Sequence, residues 1–186
     1  ANVKEESMAI SPEEDNALLF EIAWEVCQQL GGIYTVMRTK APRMKKVWGD
    51  RYFMVGPYDA NKSTAEFREL PTEGMVGQAV EKLRERGVQA HFGQWLCTDR
   101  PSVVLLDPHA EVPGLAEYKY HYWNDYHIEI GDDPLLNEVA AFSCLCLQFF
   151  EALCEVKGDS RILAHFHEWM AGAPIPDIKN KNLPIS

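Results

Sequence analysis

Two short stretches concentrate the residue types that could do chemistry. The first is Gly31-Gly32, set between an almost continuously apolar run at residues 17–26 and a helix-like run at residues 33–40. Glycines at a helix start let the backbone come close to a ligand, and the free N–H groups and positive dipole end there attract a phosphate. The pair also fits a plain tight turn: no third glycine completes G-x-G-x-x-G and no Gly-Lys-Ser/Thr follows. The second stretch is His165-Phe166-His167-Glu168-Trp169. If residues 161–167 form a strand, both imidazoles face one side, because side chains alternate along a strand. Such a pair could hold a divalent metal, contact a substrate, or simply be structural. A zincin helix does not fit, since Ala171 stands where its second histidine is needed.

A third stretch, residues 118–127, mixes five aromatic rings with polar groups and suits sugar or base stacking, or packing over a sheet. Packing is the plainer reading. No Ser-His-Asp or Cys-His set follows from spacing. Cys27, Cys97, Cys144, Cys146 and Cys154 lack the paired spacing of a zinc site and read as reduced, buried, small apolar residues.

The elements that must position these residues alternate in type. Strands are expected at residues 17–26, 51–56, 88–96, 102–107 and 161–167. Helices are expected at 33–40 and 72–86, then from Asp133 as N-cap and Pro134 at the first position as far as Val156, and again from about Glu168. Residues 118–129 are expected to be irregular, and residues 183–186 to begin a strand. That alternation implies an α/β, Rossmann-like fold with a mainly parallel sheet and helices on both faces. Residues 1–16 read as a flexible acidic segment without a secretory signal, and residues 17–186 as one domain. The 186 residues carry a net charge of −10, which opposes nucleic acid and anionic membrane surfaces as partners. No apolar run approaches the roughly 20 residues of a bilayer span, so no membrane segment is expected.

Several stretches, in order, resemble the glycogen synthases of the animal and fungal type. They include Leu19-Phe20-Glu21-Ile22-Ala23-Trp24-Glu25-Val26, Gly31-Gly32-Ile33-Tyr34-Thr35-Val36, Val55-Gly56-Pro57-Tyr58, Phe92-Gly93-Gln94-Trp95-Leu96 and Ala164-His165-Phe166-His167-Glu168-Trp169-Met170-Ala171-Gly172. The resemblance implies the incomplete N-terminal domain of a two-domain, Rossmann-like retaining glycosyltransferase. The complete enzyme would move glucose from a nucleotide sugar, UDP-glucose by expectation, to glycogen or another α-1,4-glucan in the cytoplasm, using no metal and no cofactor. A fragment of this kind is expected to be inactive alone, and any homo-oligomer to form through parts outside it.

The resemblance gives the candidate residues roles. Gly31 and Gly32 match the loop that approaches the donor's phosphates and glucose, His167 would lie beside the donor glucose, and Glu168 would orient that loop. Gln29 stands where close relatives carry a basic residue, so Arg38 or Lys40 is expected to replace that charge, or donor affinity to differ. Two alternatives remain open from sequence: a metal-dependent hydrolase using His165 and His167, and a non-catalytic sugar- or nucleotide-binding module.

Overall fold

The computed structural model describes residues 16–186, so the acidic segment, apart from Asn16, lies outside the described residues. Strand β1 (Ala17–Ala23) is apolar toward both faces, as a strand covered on both sides must be. It leads through a tight turn into helix α1 (Gly32–Trp48), and β2 (Tyr52–Pro57) follows. Next come β3 (Phe67–Glu69), α2 (Gly74–Glu85), β4 (Ala90–Trp95) and β5 (Ser102–Leu106). Two helices, α3 (Leu115–Tyr126) and α4 (Pro134–Val156), precede β6 (Arg161–His167). The short α5 (Glu168–Gly172) and α6 (Ile175–Asn180) complete the order.

The six strands form one sheet in the order β3-β4-β5-β2-β1-β6. β5, β2, β1 and β6 run parallel, while β4 pairs antiparallel with both β5 and β3. The sheet is therefore mainly parallel with an antiparallel edge. Pairing of β3 with β4 requires glycine at position 93, because a Cβ there would lie 2.1 Å from the Arg68 carbonyl oxygen. At the opposite edge, Ile185 forms a parallel bridge with Ile162, so the expected final strand is present only as its first contact.

Both faces are covered. Phe20, Ile22, Val55 and Leu106 pack beneath α2 and α4, with Phe20 stacked on Phe53 at 5.3 Å and edge-on to Phe149 at 5.9 Å. On the other face Leu19, Ala23 and Met54 meet Tyr34, Met37 and Ala41 of α1.

Three expectations change. α1 continues to Trp48 through Pro42, beyond the expected stop at Lys40, because burial of its face outweighs the one backbone bond proline forfeits. Residues 118–126 are helical rather than irregular. Tyr118, Tyr122 and Tyr126 recur every four residues and anchor α3 by their hydroxyls, to Ser143, to the Ala173 carbonyl and to Asp177 respectively. That spacing is the periodic signal, masked by the intervening polar residues. Finally, α4 is long and apolar enough to cross a membrane, contrary to the expectation that no such run exists. Its apolar residues are used inside the fold, buried from Val139 to Leu153 against the sheet and neighbouring helices. Asp133 caps it, accepting from Leu136 N–H at 2.9 Å, and Pro134 opens it as expected.

Candidate functional site

The crossover after β1 lies on one face, through α1, whereas the chain enters β6 from α4 on the opposite face. The carboxyl ends of the neighbouring strands β1 and β6 therefore form a topological switch point, where open α/β sheets bind ligands. The two motifs picked out by sequence meet at this edge. Gly31 and Gly32 follow β1 at the start of α1, and His167 ends β6. Both connecting loops hold a non-glycine residue in the left-handed region, Cys27 at φ 59° and Glu168 at φ 64°. Backbone of that kind persists only where its surroundings hold it.

The loop after β1 is fixed by a residue that sequence reasoning did not assign. Glu25, buried in the turn, accepts through Oε2 from the N–H groups of Gly31 at 2.6 Å, Tyr34 at 3.1 Å and Leu30 at 3.3 Å. A carboxylate thus occupies the N-terminus of α1, where the sequence suggested a phosphate could sit. It satisfies orphan donors and complements the helix dipole. Gly31 and Gly32 are exposed beyond it. Gly56 in β2 makes room for this turn, since a Cβ there would come within 2.6 Å of Val26 Cβ. Glu25→Ala should therefore behave as a lost helix cap, destabilising the fold by about 1–2 kcal/mol in urea unfolding. An unchanged midpoint would show that the carboxylate does not hold α1.

Opposite this loop, β6 presents His165 and His167 to the α1 face, as strand alternation predicts, with ring centroids 4.2 Å apart. The in-register partner of His165 is Glu21 of β1. Glu21 is 1% exposed. Its Oε2 accepts from the Tyr52 hydroxyl at 3.0 Å, and Lys40 of α1 forms an ion pair with Oε1. His167 Nε2 lies 3.7 Å from Oε2 and His165 Nδ1 4.0 Å from Oε1.

Burial, the largest influence on the Glu21 carboxyl, pushes its pKa up. Contacts with His167, Lys40 and Tyr52 together outweigh it and hold the group below the ordinary carboxylate value. His165 is held below the usual histidine range by partial burial, and by His167 and Lys40 as like charges.

Glu21, His165 and His167 place ligand atoms within 4.8 Å of one another, a spacing one divalent ion could bridge. The cationic partner of that carboxylate is, however, Lys40, and a metal would have to displace it. Nothing else among the described residues favours the hydrolase alternative.

Neither base expected to stand in for a charge at Gln29 is free. Lys40 is committed to Glu21. Arg38 donates to the Tyr34 hydroxyl, which in turn donates to Glu66 at 2.7 Å. Gln29 itself is exposed. Glu168 is exposed too, with no ion pair or side-chain hydrogen bond among the described residues, so its contribution here is the left-handed turn into α5. Burial raises the Cys27 thiol well above its usual value, which removes it as a thiolate nucleophile, and all five cysteines are free.

A cavity of about 550 Å³ lies away from this edge, between α3, α4 and α6. Glu117, Asp125, Glu151 and Asp177 line it, a poor setting for a diphosphate. The switch-point edge is the better candidate on chemistry.

Fold and site together define a Rossmann-like α/β protein with its candidate site at the carboxyl edge of the sheet. Residues 21–186 match the glycogen synthase family model, and the chain belongs to that family. It is 36% identical over 177 residues to the liver glycogen [starch] synthase of Mus musculus, and 35% identical over 177 residues to the glycogen [starch] synthase of Neurospora crassa. These alignments take in 94% of this chain and 25% of each relative. The glycogen [starch] synthase of Dictyostelium discoideum is 31% identical over 172 residues, covering 92% of this chain and 19% of the relative. The chain thus spans about a quarter of the length of the mouse and fungal relatives.

Proposed function

We propose that this chain forms the N-terminal, acceptor-side wall of a retaining glucosyltransferase that extends α-1,4-glucans such as glycogen. The donor is a nucleotide sugar, UDP-glucose in this reading, and the protein works in the cytoplasm without a metal ion. The observation that carries the proposal is that His167, at the end of β6, and the Gly31-Gly32 loop, after neighbouring β1, both lie at the switch point of a glycogen synthase family chain. His167 holds the donor glucose by a hydrogen bond, Gly31 and Gly32 let the donor approach the backbone, and Glu168 shapes the loop between β6 and α5. Orientation of this kind contributes to rate by holding reacting groups in a productive geometry.

A specific observation favours one other reading, a sugar- or nucleotide-binding module without transfer. Gln29 brings no charge, Arg38 and Lys40 are engaged elsewhere, and Glu25 adds a negative charge to the loop. One experiment separates the two. Transfer of labelled glucose to glycogen is measured with UDP-glucose and with ADP-glucose, using the longer protein that carries this chain and, separately, the 186 residues alone. Transfer by the longer protein and none by the short chain is expected. Binding without transfer from either donor would replace the enzyme reading with the binding module.

A further inference from the structure

Glu21 is an unusual residue for its place. It lies mid-way along a strand flanked by parallel neighbours and is almost fully buried, yet it remains a carboxylate. Tyr52 donates to its Oε2 and Lys40 forms an ion pair with its Oε1. Its Oε2 nevertheless also faces His167 Nε2, 3.7 Å away. That nitrogen is sealed from solvent and has no hydrogen-bond partner among the described residues. A neutral imidazole carries one N–H and one lone pair. Turning the lone pair toward Glu21 would set two electron pairs against each other in a dry region. Turning the N–H toward it gives a charge-assisted donor.

We propose that Glu21 is a positioning residue for His167: its carboxylate selects the Nε2–H tautomer and so leaves Nδ1, across the ring, as the acceptor for a sugar hydroxyl. The sugar contact rests on the reading of His167 given above; the choice of tautomer does not. Lys40 balances the other carboxylate oxygen, so Glu21 stays ionised without taking a proton from the ring. His165 is not fixed in the same way, because its side chain is 56% exposed.

The test uses this chain labelled with ¹⁵N-histidine, followed across a pH series whose plateau at high pH reports the neutral ring. The nitrogen shifts of His167 should show Nε2 protonated and Nδ1 bare. Glu21→Gln keeps the shape and a partner for Tyr52 but removes the charge, and its amide can offer N–H groups to the ring. It should move His167 to a mixture of tautomers, while His91, His109, His121 and His127 keep their shifts and so report an intact fold. A wild-type His167 protonated on Nδ1, or wild-type and Glu21→Gln spectra that agree, overturns the proposal. So does a zinc ion retained on both rings, since the metal would then set the tautomer.

In the longer protein, Glu21→Gln should lower kcat on the order of tenfold with a smaller change in KM. Loss of transfer in the unaltered longer protein, with the tautomer still set by Glu21, would remove the sugar role and leave the positioning intact.

Discussion

His167→Ala in the longer protein should reduce glucose transfer about 100-fold or more, the scale on which enzymes lose rate when a reacting group is misplaced. The ring closes β6 with Nε2 facing Glu21 Oε2 at 3.7 Å, and its side chain is only 11% exposed. In the proposed reading, alanine removes the polar contact that keeps the sugar in register. His165 lies on the same face two residues back along β6, farther from the strand end. Most of the loss should fall on kcat, since a contact that aligns the reacting sugar counts more in the transition state than in the ground state. Steady-state kinetics with saturating glycogen would decide this. A change below about 3-fold, roughly 0.6 kcal/mol, would remove His167 from the reaction.

The largest effect on stability is expected at Lys40. Lys40→Met leaves the Glu21 carboxylate buried without its counter-charge, and breaking a buried pair from one side costs about 3–5 kcal/mol. The Lys40 side chain is 31% exposed, so water already screens part of the attraction and the lower end, about 3 kcal/mol, is expected. The effect should depend on pH in a definite direction. Glu21 ionises more readily in the fold than in the unfolded chain, so the unfolded state binds more protons in acid. Its stabilising contribution is present above the ordinary carboxylate range and is lost as pH falls through the lowered folded value. The gap between wild type and Lys40→Met in urea unfolding should therefore be full near neutrality and close in acid. Glu21→Gln combined with Lys40→Met should recover much of the loss, because no charge then remains buried. A gap that persists unchanged in acid would place its cause in lost packing along the lysine stem.

Much of this protein was legible in its sequence because burial leaves periodic marks. β1 reads as apolar on both faces because it is covered on both faces, and α4 announces its start with Asp133 and Pro134 because capping is local chemistry. The His-x-His pair could be placed on one face of β6 from strand alternation alone, and the family resemblance from motifs in order. α3 was misread for a local reason too. Its apolar stripe consists of tyrosines, whose rings pack while their hydroxyls bond, so polarity hid the four-residue period.

What no local pattern could supply is pairing across the chain. Glu21 and Glu25 were visible as acids inside an apolar stretch, the one local signal that marks them. Only strand register sets Glu21 beside His165 and below Lys40, and only the fold of the turn aims Glu25 at the N-terminus of α1. Likewise, sequence could offer Arg38 and Lys40 as stand-ins for a missing base, but not show that both already have partners. Propensity and periodicity act between residues near in sequence, and they marked most of the elements and their faces, while motifs in order carried the family resemblance. The charge balance around Glu21 arises between residues from 19 to 146 positions apart, where it depends on burial and distance, and those exist only once the sheet has closed.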